Sequence, residues 1–254
     1  GVGVFNTASG SVDAGLAGMV GAAIGDRNVV NVDNQGEVTA GLVGIGGLVY
    51  GDDGSVLVEN GDTGSVDAGL AGMVGVAIGD RNIVNTSNDG SVTAGLAGVA
   101  SVGVGDGNTI LALNDGTGTV DAGLAGMLAI GIGDGNTVIG SSNGEVNSDV
   151  IGIGSLVVGD GNLVSAGNAG LVEAGVAGLV GVGIGDENIV RASNGGVVEA
   201  GLIGLVGLAY GNDSSVTISN LSTGTVNAGL VGLLGVAVGD DNKIEVASDG
   251  DVTA

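Results

Sequence analysis

Residues 65–91 read SVDAGLAGMVGVAIGDRNIVNTSNDGS. The run from Ser65 to Gly79 alternates with period two, which is the signature of extended chain. Val66, Ala68, Leu70, Val74, Val76 and Ile78 share one parity and read as the core of the unit. Asp67, Gly69, Ala71, Met73, Gly75 and Ala77 share the other and read as a flat stripe of small apolar residues. Gly79-Asp80-Arg81-Asn82 has turn composition, Ile83–Thr86 is a short strand, and Asn88-Asp89-Gly90 is a second turn. A helix would carry Gly every three or four residues at a cost of roughly 1 kcal/mol each relative to Ala.

The same unit recurs along the whole chain. The residue after the turn Gly is Asp26, Asp52, Asp80, Asp106, Asp134, Asp160, Asp186, Asn212 and Asp240, at intervals of 26 or 28 residues. A Val column (Val12, Val38, Val66, Val92 and onward to Val226) and a Gly column (Gly18, Gly44, Gly72, Gly98 and onward to Gly232) keep step without exception. GSVDAGLAGMVG starts at Gly10 and again at Gly64, and GTVDAGLAGMLA at Gly118, so alternate units resemble each other at 54-residue spacing. One unit cannot bury its own apolar face, but a stack can, each backbone pairing with the layers on either side. The expectation is an all-β fold: a β-solenoid of about nine 26–28-residue rungs arranged as 54-residue double repeats, a single domain over residues 1–254. At ~4.8 Å per layer the rod would be about 43 Å long. Its cross-section is either a flat two-layer arch or a three-sided prism bending at the Gly72 column. Asp-Gly in the GDGN turns also suits a hairpin, but the flanking segments differ in length, and a membrane barrel would want aromatic girdles.

Composition narrows function. The 254 residues include 58 Gly, no Cys, His, Pro or Trp, and a net charge of −24. Thiol and Ser-His-Asp catalysis and the usual zinc sites are therefore excluded. So acidic a chain does not suit nucleic acid. Its longest uncharged apolar runs, such as residues 228–239, fall short of the ~20 residues of a membrane helix. Carboxylates recur as series and never as one distinct pair, and there is no aromatic platform for a sugar. No enzyme activity, no catalytic, cofactor-binding or metal residue and no small-molecule substrate is expected.

The turn Asp ladder is the sharpest candidate site. Carboxylates stacked ~4.8 Å apart repel one another, and solvation, the neighbouring Asn82 and Asn108, or bridging Ca²⁺ would relieve this. The simpler expectation is an Asp that bonds local turn amides. Asp13, Asp67 and Asp121 recur every second rung with Thr39 and Thr93 between them, which halves like-charge contacts. Arg27 and Arg81 read as partners of nearby Asp.

The units VGVGDGNTI at 102–110 resemble the GxGN turns of curli-type amyloid subunits, although the paired Gln and Ser ladders of that family are absent and the period is longer. AIGDRN at 77–82 is similar to pieces of trimeric autotransporter heads, whose coil is nearer half this length. The resemblance implies extracellular β-stacked assembly and carries over no functional residue. The two ends also resemble the middle: GVGVFNTASG at 1–10 aligns with GNTVIGSSNG at 135–144, and GDVTA at the end with GSVTA at 90–94. Ends without polar caps suit head-to-tail addition, and the apolar stripe suits docking of another copy. The expected function is a structural subunit of an extracellular or cell-surface filament or sheath, with the chain itself as partner. A repetitive adhesin stalk is the alternative, and an ice-binding solenoid fits less well for lack of a Thr array.

Overall fold

A computed structural model describes all 254 residues, Gly1–Ala254. It contains no helix, hence none long and apolar enough to cross a membrane. Each rung makes three strands. In one rung these are Ile83–Asn88, Ser91–Ala94 and Ala97–Val104, of six, four and eight residues. Strands of each kind stack on their own kind. Sheet 1 holds ten mostly six-residue strands, sheet 2 ten mostly four-residue strands, and sheet 3 nine eight-residue strands. Every pairing is parallel and rung to rung, as in Val84 against Ile110 and Val92 against Val120. The chain is a three-sided β-solenoid.

The run read as one long strand is therefore two strands. A corner at Gly69-Leu70 separates Ser65–Ala68 from Ala71–Ile78. The Gly72 column lies just beyond the corner and is skipped in the pairing, which passes from Ala71↔Ala97 to Met73↔Val99. A Cβ there would collide with Val92 Cγ1 of the next rung, so the column admits only Gly. The two-residue difference between rungs also has a location. The turn from sheet 1 to sheet 2 is either short, as at 35–36, or longer, as at 61–64, while the strands on both sides stay in register. Strict alternation ends at three consecutive short turns, 143–144, 169–170 and 195–196. The structural unit is the single rung, and the 54-residue period is a feature of the sequence laid over it.

The Gly-Asp turn joins sheet 3 to sheet 1, and all four of its amides are satisfied by neighbouring rungs. Gly79 N donates to Val104 O at 2.8 Å and Arg81 N to Asp106 O at 2.9 Å. Asp80 N donates to Asp52 Oδ1 at 2.9 Å and Asn82 N to Asn108 Oδ1 at 2.7 Å. Even the loops are thus laid down as ladder. The third turn position is left-handed in every rung: φ is 64–65° at Gly107, Gly135 and Gly161 and 53–57° at Arg27, Asp53, Arg81, Glu187, Asp213 and Asp241. An L-residue there costs about 1–2 kcal/mol, which Gly escapes. Glu187→Gly is accordingly expected to raise stability by up to about 1 kcal/mol, after allowance for the extra freedom of Gly in the unfolded chain. Urea denaturation of the variant against the parent measures it.

The inside and outside of sheet 3 are the reverse of the parity expected from sequence. Met73, Gly75 and Ala77 point inward and are buried, whereas Val74 and Val76 are half-buried and Ile78 is exposed on the outer surface. Leu70 likewise stands outside at the corner. The cause is geometric. The corner and the skipped Gly72 shift the alternation, so Val66 and Ala68 face in while Leu70 and Val74 face out. The lumen is also narrow. A Cβ on Gly75 would stand 2.6 Å from Thr86 Oγ1 and 2.7 Å from Val84 Cγ1, side chains of the facing sheet. Val from sheets 1 and 2 fills much of the interior and leaves the Gly75 and Ala77 columns of sheet 3 room mainly for Gly, Ala and Ser, whereas the Met73 column holds Met, Ile, Val or Leu in every rung. The core runs unbroken along the rod and includes Val30, Val56, Met73, Ile110, Met127, Ile153, Leu179 and Leu205.

Candidate functional site

Two surfaces follow from this arrangement. The first is the outer face of sheet 3. None of its nine strands carries a charged residue, and its only polar side chains besides Tyr50 and Tyr210 are Ser101 and Ser155, both turned into the core. Ser101 Oγ donates to Leu111 O at 2.6 Å, and Ser155 Oγ to Ser165 O at 2.7 Å. What meets solvent is aliphatic apart from two tyrosines, with Ile24 84%, Tyr50 56% and Tyr210 64% exposed along the edge next to the acidic turn. Leu16, Leu42, Leu70, Leu96 and Leu124 line the opposite corner and are exposed too. Two glycines, Gly46 and Gly154, leave recesses in this face. The one at Gly154 lies between Leu128, Ile151, Leu156 and Val180. Sequence reading foresaw an apolar stripe but assigned it to the small residues. In the fold the exposed stripe is made of the larger ones.

The second surface is the ladder of acidic turns. Its Asp residues do not bond their own turn. Each Oδ1 accepts the amide of the matching residue one rung on: Asp26 from Asp52 at 3.0 Å, Asp80 from Asp106 at 2.9 Å, Asp134 from Asp160 and Asp160 from Asp186 at 2.8 Å. Asn212 serves equally, accepting from Asp240 at 2.8 Å. The amide dipole offsets part of the repulsion within the column, and water reaches the other oxygen. No three carboxylates converge into a metal-holding group, here or elsewhere. Arg81 forms a two-pronged ion pair with Asp53 (2.8 and 3.0 Å) on the exposed turn. This holds the Asp53 carboxyl below its ordinary range. Asp13, Asp67 and Asp121 stand outward on sheet 2 opposite Thr39, Thr93 and Asn147, so like charges are interleaved with neutral groups over these rungs, but further along the same column Glu173 stacks directly on Glu199.

A third ladder was legible in the sequence and was not singled out. Asn6, Asn34, Asn60, Asn88 and Asn114 end successive sheet-1 strands, with Ser142 next in the column. They are buried, and each Nδ2 donates to the next Oδ1 at 2.8 Å from Asn6 through Asn88. Asn168, Asn194 and Asn220 continue it. The signal was available as a column of Asn at constant offset from the Val column. What it lacked was the knowledge that this position is a corner turned inward.

Two further carboxyls are perturbed, both upward. Burial raises Glu59, with help from Asp33 directly opposite it. Burial also raises Asp89, with Asp115 and Asp62 adding to it. A carboxyl raised by folding binds its proton more tightly in the folded chain. Its stabilising contribution is complete below the unfolded value of about 4 and is lost as pH rises through the raised value. Glu59→Gln is therefore expected to raise the melting temperature at pH 7 by about 1–3 °C and to flatten its rise on acidification. Thermal melts at pH 4 and 7 check this.

The chain has no His or Cys, so neither surface offers an imidazole base or a thiol nucleophile. Comparison with protein-family models, curated proteins and solved structures finds no match.

Proposed function

We propose that the chain is a structural subunit of an extracellular filament or sheath. Neighbouring rods join through the outer faces of their third sheets, and rungs of successive copies stack end to end. One observation carries the reading: a continuous, flat, charge-free apolar face on a chain whose charge all lies on the other two sheets and on the turns. Soluble monomers rarely expose apolar patches beyond a few hundred Å². Eight-residue strands stacked nine deep make a face of roughly 1,000 Å² at ~3.3 Å per residue and ~4.8 Å per rung. The acidic sides stay hydrated and repel their like, so association is directed to the one remaining face. End-to-end growth is supported by the sameness of the rungs, because parallel in-register ladders let any rung sit on any other.

Negative-stain microscopy of the purified chain across a concentration series tests this. Fibres that grow with concentration are expected. Isolated short rods at every concentration would reject assembly and favour the adhesin stalk. Melting in EDTA and in added Ca²⁺ tests the turn ladder separately, and identical curves would remove calcium from consideration.

A further inference from the structure

Lateral packing through sheet 3, as proposed above, leaves open how two faces meet, and the outer face itself selects an arrangement. Take the strand Ala17–Ile24 as the first rung and Val231–Val238 as the ninth. One outward column has Leu in only two rungs, at Leu128 in the fifth and Leu234 in the ninth. The same column has Gly in only two rungs, at Gly46 in the second and Gly154 in the sixth. These are two knobs and two recesses on one face. The Gly46 recess is open, with the nearest atom to a Cβ there 3.6 Å away. At Gly154 the recess is partly taken up by Leu128 of the preceding rung, whose Cδ2 stands 2.9 Å from such a Cβ, so seating a second Leu there requires Leu128 of the same chain to turn aside.

We infer that two copies pack their third sheets face to face with the rods running in opposite directions, about a two-fold axis parallel to the strands and midway between the fifth and sixth rungs. That operation keeps each column facing its own kind and sets the second rung against the ninth, the third against the eighth, the fourth against the seventh and the fifth against the sixth. It also brings the two acidic turn columns side by side along one edge, so the apolar contact has to outweigh their repulsion and pairing should tighten with added salt. Leu234 then meets Gly46 and Leu128 meets Gly154, each twice by symmetry. No other antiparallel register seats both knobs. The neighbouring column agrees independently, because the same register places Ala71 against Ile203 and Ala125 against Ile151. At the edge, Tyr50 meets Val238 and Tyr210 meets Ile78, so the two bulky rings never oppose each other. Eight rungs are paired, covering roughly 900 Å² per copy at the spacings of a β-sheet, and stable interfaces need about 800 Å² per partner.

The test uses the absence of native cysteine. Val76→Cys and Leu208→Cys chains, mixed and treated with a short bismaleimide spanning the roughly 10 Å between stacked sheets, are expected to form the mixed cross-link, while each alone gives essentially none. Sedimentation of Gly46→Leu should show at least tenfold weaker pairing, with most of the loss recovered in Gly46→Leu/Leu234→Ala. Gly46 faces outward, so the fold should be unchanged by circular dichroism. Association without the mixed cross-link, or a cross-linked Val76→Cys homodimer as the main product, overturns the antiparallel pair and leaves lateral assembly standing. A chain that stays monomeric at all concentrations overturns both.

Discussion

Asn88→Asp is expected to destabilise the chain by about 3–5 kcal/mol at pH 7 and to recover much of that loss near pH 3. The Asn88 side chain is buried, and its Nδ2 donates to Asn114 Oδ1 at 2.8 Å, to Gly90 O at 3.1 Å and to Thr119 O at 3.2 Å. A carboxylate replaces one donor with an acceptor facing three acceptors. Burial and those oxygens would push the new carboxyl above its ordinary value of about 4. Because folding raises it, stability is present while the group is protonated and is lost as pH rises through the shifted value. Protonation restores one donor, so the recovery is partial. Urea denaturation at pH 3 and 7.5, each against the parent chain, isolates the effect. Equal losses at the two pH values would mean that the ladder is not sealed from water.

Gly75→Leu and Val76→Lys, adjacent in sequence, are expected to behave oppositely. Gly75 faces the lumen, and even a Cβ would stand 2.6 Å from Thr86 Oγ1. Thr86 is buried between sheets that cannot part without breaking their ladders. A Leu there overpacks the core by four carbons and should cost about 3 kcal/mol or more. Val76 faces out and is only half-buried by its neighbours, so Lys in its place should shift stability by no more than about 1 kcal/mol. Lateral association should be sharply weakened by the charge. Thermal melts read the first change and sedimentation the second. By parity alone, as read from sequence, the two results would be exchanged.

That exchange shows where sequence reading stops. The repeat, the parallel stack and the turn at Gly79–Asn82 follow from columns at constant spacing, because a residue type recurring every 26 or 28 positions without exception demands one environment repeated. The parity of sheet 3 does not follow. Both faces of Ala71–Ile78 are apolar, so hydrophobicity cannot vote between them. The deciding fact is lumen width, which is set by Val84 and Thr86 across the core. The corner at Gly69-Leu70 was hidden for a related reason. Gly recurs so often in this chain that one marking a corner looks like any other. The Asp turn was recognised, but its bonds run between rungs and not within one, as only the stack reveals.

The account rests on parallel, in-register rungs, and methyl and amide NOEs in solution test that most directly. It predicts contacts linking Val66 to Val92 and Val92 to Val120, and Val84 to Ile110, with the offset constant along each strand. Contacts whose offset falls steadily along a strand, as in a hairpin folded about the turn at Gly79–Asn82, would contradict it.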